Sequence, residues 1–65
     1  MKLQLNGTLI EADSPTLADL LIAQGYGEAR VATAVNGTFV PAPMRATHTL
    51  NDGDQVEVLA PMQGG

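Results

Sequence analysis

The fold turns on Leu50-Asn51-Asp52-Gly53-Asp54-Gln55-Val56-Glu57-Val58-Leu59, followed by Ala60-Pro61-Met62-Gln63-Gly64-Gly65. An Asp-Gly turn leads into a strand with period-two alternation, Val56 and Val58 on one face and Gln55, Glu57 and Leu59 on the other. The strand then runs into a tail that is poor in side chains and closes on two glycines. At average usage, a terminal Gly-Gly pair arises by chance in roughly one chain in 200, so it gains meaning only from the body that precedes it. Gly-rich ends are commonly mobile. We expect a folded body over residues 1–60 and a flexible tail over 61–65.

The opening of the chain carries the same alternation. Met1, Leu3 and Leu5 alternate with Lys2, Gln4 and Asn6. Asn6-Gly7 is a strong hairpin signal, because a type I′ turn needs positive φ at both central positions. Thr8 to Ala12 then returns antiparallel, with Leu5 opposite Thr8, Leu3 opposite Ile10 and Met1 opposite Ala12. This puts Met1, Leu3, Leu5, Ile10 and Ala12 on one face, and Leu9 and Glu11 on the other.

Asp13-Ser14-Pro15-Thr16 reads as a helix entry. Thr16 with Asp19 resembles a capping box with a shortened acid, which also suits the positive end of the helix dipole. Ser14 as cap with Pro15 at the first helical position is the competing register. Leu17, Leu20 and Leu21 recur at helical spacing, and Gly25 suits the left-handed residue that ends a helix. A helix of about ten residues is marginal alone and must pack on the sheet.

Residues 26–30 read as a loop. Val31 to Val35 is strand-like, with Val31, Thr33 and Val35 facing inward. Asn36-Gly37 is a second turn of the same kind, and Thr38-Phe39-Val40 follows it. Pro41 and Pro43 cannot donate backbone hydrogen bonds and so prevent a regular ladder. Residues 44–49 read as irregular, with room for one helical turn, and Leu50 returns to the core. The first and last strands each carry an apolar face, and a single helix is available to cover them. The simplest solution is an α+β fold: a mixed sheet with the terminal strands side by side and parallel at its centre, the ubiquitin-like β-grasp.

Composition narrows the functional classes. Sixty-five residues allow one domain. Tyr26 and Phe39 are the only aromatics, so the core is aliphatic. The chain has no cysteine. It is held by packing alone, fits a reducing, cytoplasmic compartment, and has no thiolate of its own. The first residues lack an apolar signal region, and no apolar run is long enough to span a membrane. Seven acidic and three basic residues give a net charge of −4. With so few cations and no stacking aromatics, nucleic-acid binding is not expected. An acidic small protein suits a partner with a basic docking surface.

Three stretches carry a resemblance. The runs Val35 to Pro41 and Leu50 to Gly65, with the opening strand and turn from Met1 to Gly7, resemble the ThiS family of sulfur carriers in thiamine biosynthesis. The resemblance covers essentially the whole chain. Its specific part is the terminal Gln-Gly-Gly after a Gly-Asp-x-Val strand; the Asn-Gly turns are less specific. It implies a β-grasp protein that is a substrate rather than an enzyme. The Gly65 carboxylate would be adenylated by an E1-like adenylyltransferase of the ThiF type, using ATP and Mg²⁺. Sulfur from a cysteine desulfurase would convert the adenylate to a thiocarboxylate, and a thiazole synthase of the ThiG type would receive the sulfur. Family members often carry Arg soon after the Val-Pro pair. Here Ala42 follows Pro41 and the nearest arginine is Arg45, which leaves the contacts of that arginine open.

The residues support the same chemistry. An α-carboxyl group titrates near about 3.5, so at neutral pH it is an anion and a poor target for sulfur nucleophiles. As an acyl-adenylate it becomes a good one. Gly64 and Gly65 lack a Cβ and can pass a narrow channel, with Gln63 and Met62 threading behind them. Ordering this tail costs entropy, which docking of the body must offset. Leu9, Phe39 and Leu59 are out of phase with the core sets or lie past a turn. We expect them to form an exposed apolar patch continuous with Met62 that docks onto partners. The competing reading is that Phe39 completes the core. His48 reads as a surface loop residue, since no dyad or metal partner accompanies it. Asp52 and Asp54 read as turn formers, because they lack the remaining ligands of a calcium loop. No bound cofactor or metal is expected. Three alternatives stand beside the thiazole carrier: the small subunit of molybdopterin synthase, with the same tail chemistry; a protein-conjugating ubiquitin-like modifier; and a noncovalent β-grasp binding module.

Overall fold

The computed structural model describes residues 1–27 and 30–60. The expected tail, with Met62, Gln63, Gly64 and Gly65, lies outside the described residues, as do two positions of the expected loop after the helix. Seven elements follow one another: strand β1 (Lys2–Leu5), β2 (Thr8–Glu11), helix α1 (Leu17–Ala23), β3 (Ala32–Val35), β4 (Thr38–Val40), a 3₁₀ helix (Ala42–Thr47) and β5 (Gln55–Leu59).

The strands form one sheet in the order β2-β1-β5-β3-β4. β1 and β5 pair in parallel, with Leu5 opposite Val56, and every other pairing is antiparallel. With one helix across this mixed sheet, the architecture is the ubiquitin-like β-grasp. The first hairpin has the expected register, Leu3 opposite Ile10 and Leu5 opposite Thr8. The Ala12 N–H extends it by donating to the Met1 carbonyl at 2.9 Å. Both hairpin turns have positive φ at each central residue: 50° and 83° at Asn6 and Gly7, 52° and 82° at Asn36 and Gly37. Asparagine tolerates this region better than other side-chain-bearing residues.

Thr16 is the helix cap, and its Oγ1 accepts from the Asp19 N–H at 3.3 Å. The same hydroxyl donates to the Asp19 carboxylate at 3.0 Å, which settles the register against Ser14. The helix closes with Gly25 at φ 89°. The Gly25 N–H reaches the Ile22 carbonyl and the Tyr26 N–H reaches the Leu21 carbonyl, the paired bonds of a Schellman motif. With both ends fixed in this way, the helix has seven residues, shorter than the expected ten.

The one helical turn for which residues 44–49 left room is a 3₁₀ helix that starts earlier and runs longer, over Ala42–Thr47. Pro41 is its cap and Pro43 lies in its first turn, where the missing N–H groups need no intrahelical partner. The Met44 N–H donates to the Pro41 carbonyl at 2.9 Å. The chain then pairs with the helix entry, Leu17 N–H to the His48 carbonyl and Leu50 N–H to the Pro15 carbonyl. That anchoring places Leu50 in the core with Leu3, Leu17, Leu20, Leu21, Val35, Val40, Val56 and Val58. Thr33, inward as expected, is only 2% exposed.

Candidate functional site

The described part of the site is the exit of β5 and the sheet face away from the helix. Glu57 lies beside Ala34, which lies beside Phe39, and Leu59 lies beside Ala32. Directly opposed residues share a face. Phe39 and Leu59 therefore flank a floor of two alanines, and both are highly exposed, at 65% and 62%. Phe39 does not complete the core. Leu9 is 64% exposed on the same face, but it sits two strands from β5 with Gln4 and Gln55 between. The expected single patch is thus divided. Phe39 and Leu59 form one part, while Leu9 stands apart beyond a polar stripe. The expected continuity with Met62 lies outside the described residues.

Under the exit of β5 runs a cleft lined by Leu59, Ala60, Val31, Ala42 and two arginines, Arg30 and Arg45. The Arg45 Nε donates to Thr33 Oγ1 at 2.9 Å, and a second guanidinium nitrogen donates to the Val31 carbonyl at 2.5 Å. The Thr33 hydroxyl itself donates to the Val40 carbonyl at 2.8 Å. A buried hydroxyl on β3 thus links β4 to the 3₁₀ helix. The arginine whose contacts the sequence left open is engaged with β3.

What steadies β5 is a set of side chains that sequence reading had assigned only to turns. Asn6 Oδ1 accepts from the Val58 N–H at 2.8 Å, and Asn6 Nδ2 donates to the Val58 carbonyl at 3.1 Å. Across the sheet, Asn36 Oδ1 accepts from the Gln55 N–H at 3.0 Å and Asn36 Nδ2 donates to Asp54 at 3.0 Å. Asp54 also accepts from the Asn51 N–H at 2.8 Å, and Asp52 accepts from the Lys2 N–H at 2.6 Å. Both aspartates accept from backbone N–H groups: Asp54 ties its own turn through Asn51, whereas Asp52 anchors that turn to β1. Asn6 and Asn36 had one usable signal. Both type I′ turns carry Asn, although Asp-Gly also suits such a turn. Only the amide supplies a donor beside its acceptor.

His48 takes part through its backbone; its N–H donates to the Arg45 carbonyl at 3.3 Å. Among the described residues no group of three or more histidine and acidic side chains could hold a metal ion, and no helix is long and apolar enough to cross a membrane.

The sequence profile of the ThiS family matches residues 3–65. The crystal structure of thiamine biosynthesis protein ThiS from Geobacter metallireducens superposes with a TM-score of 0.86 at 32% identity, covering 100% of both chains. No curated protein sequence matches the chain significantly.

Proposed function

The chain belongs to the ThiS family, and from that membership we propose that it is a sulfur carrier of thiamine biosynthesis, a protein substrate rather than a catalyst. The observation that carries this reading is the reach of the family match, which runs through Gly64 and Gly65 to the last residue.

In this reading the Gly65 carboxylate attacks the α-phosphorus of ATP in a ThiF-type enzyme that supplies Mg²⁺, and pyrophosphate leaves. The terminal sulfur of a persulfide formed by a cysteine desulfurase displaces AMP from the acyl-adenylate to give an acyl disulfide, and a thiol reductant cleaves its S–S bond to leave the thiocarboxylate. A ThiG-type thiazole synthase takes the sulfur. The chain contributes delivery. Gly64 and Gly65 offer no side chain to obstruct a closed site, and Gln63 and Met62 thread behind them. Phe39 and Leu59, exposed around Ala32 and Ala34, supply the apolar docking area that offsets ordering of the tail. Leu9 serves as a separate, peripheral contact.

Incubation with a ThiF-type enzyme, ATP, Mg²⁺, a cysteine desulfurase, cysteine and a thiol reductant should raise the intact mass by about 16 Da, sulfur for oxygen at the C-terminus. An unchanged mass beside a reference carrier that is converted refutes the reading. An isopeptide bond to a lysine would identify a conjugating modifier instead.

A further inference from the structure

β1 ends at Leu5, and the chain leaves the sheet at the Asn6-Gly7 turn. The last backbone rung from this side is the Asn6 N–H to the Val56 carbonyl at 2.9 Å. Val58, two residues on, turns its N–H and carbonyl toward the same side, where no strand remains. The Asn6 side chain fills the gap, accepting from one group and donating to the other. A primary amide thus stands in for the peptide unit that the turn removed.

We propose that Asn6 is a positioning residue for the carrier's reactive end: its amide closes the ladder on Val58 and holds β5 extended to its exit, the point from which the reactive end is presented. This rests on the carrier reading. Three observations converge on it. Val58 is the last β5 residue whose polar groups face β1; without Asn6 they would form an open sheet edge. Asn is the residue that both tolerates φ of 50° and offers donor and acceptor together. Asn36 uses a related device on Gln55, but at the entry to β5 rather than its exit. If the end of β5 frayed by one residue, the starting point of the tail would move by about 3.4 Å. Misplacement of about 1 Å at a reacting centre already lowers rates about 100-fold in unfavourable cases.

The test uses the full chain, with Asn6→Gly, Asn6→Asp and, as reference, Asn36→Gly. Glycine adopts the turn's φ freely, so N6G removes the clamp without adding backbone strain. Amide exchange at Val58 and Val56, the thermal midpoint, and kcat and KM of ATP–pyrophosphate exchange with a ThiF-type enzyme are measured together. N6G should speed Val58 exchange about 10-fold more than Val56 exchange, since its protection is local. It should lower kcat about 10-fold with a smaller change in KM. N6D keeps the acceptor for the Val58 N–H and should lie between N6G and wild type. N36G, at a comparable loss of midpoint, should keep kcat within about twofold of wild type. If the wild-type chain exchanges and N6G matches it in kcat, the inference is wrong. An N36G chain that loses as much kcat as N6G overturns it too, since the effect would then be general destabilisation. A wild-type chain that gives no exchange refutes the carrier reading itself, and this inference with it.

Discussion

Thr33→Val tests the network that ties Arg45 to the sheet. The substitution keeps the β-branched shape and exchanges a buried hydroxyl for a methyl, at a site 2% exposed. It removes the bond to the Val40 carbonyl at 2.8 Å and the acceptor for Arg45 Nε at 2.9 Å. The first is a neutral bond worth about 1 kcal/mol, and the second, to a charged donor, about 1.5–3 kcal/mol. The Arg45 head is only partly buried, so water recovers part of the second. The added methyl gains about 0.8 kcal/mol of transfer energy. The net loss should be about 2 kcal/mol. For a domain of this size that corresponds to a fall in thermal midpoint of roughly 8–16 °C. Urea unfolding should give the same value with an unchanged m. Arg45→Met keeps the aliphatic stem and removes both donors, and the T33V/R45M pair should show a coupling of about 1 kcal/mol in a double-mutant cycle. A T33V loss below about 0.5 kcal/mol, or strictly additive single effects, would mean that Arg45 does not bind the Thr33 hydroxyl in solution.

Three further outcomes are expected. Leu3, fully buried, should lose about 2–4 kcal/mol on truncation to alanine, measured by urea unfolding; a loss under about 0.5 kcal/mol would place it outside the core. Phe39→Ala should leave the midpoint within about 2 °C of wild type, because the ring is mostly exposed, while weakening binding to a ThiF-type enzyme by calorimetry. Undiminished affinity would remove Phe39 from the docking surface. Deleting Gly65, or adding one residue after it, shifts the carboxylate by up to about 3.6 Å and should abolish ATP–pyrophosphate exchange. Stability should change by no more than about 0.5 kcal/mol, and wild-type exchange by either variant would show that Gly65 is not the reactive end.

Much of the fold was legible from the residues alone, because its signals are local. Alternation at Leu3 and Leu5 and at Val56 and Val58 marks which face of each strand is buried, whatever lies opposite. Asn-Gly demands a type I′ turn through its own backbone, and Thr16 with Asp19 at one end and Gly25 at the other set the limits of the helix through local contacts. Parallel pairing of β1 with β5 was inferable because two apolar strand faces and one covering helix leave few arrangements. The Gly-Gly end, with the strand before it, pointed to the family.

Tertiary structure decided the matters that depend on residues far apart in the chain. Whether Leu9 joins Phe39 and Leu59 is a question of strand order, since Gln4 and Gln55 interrupt the face only when β1 and β5 are neighbours. Arg45 follows two prolines in a segment with no regular period. Its engagement with Thr33 emerges only when the 3₁₀ helix packs near β3. The second role of Asn6 arises from a residue 52 positions away, Val58, left without a strand partner by the very turn that Asn6 forms. A side chain's local backbone preference is written in its own sequence neighbourhood, whereas the hydrogen bonds it makes across the sheet exist only once the strands have met.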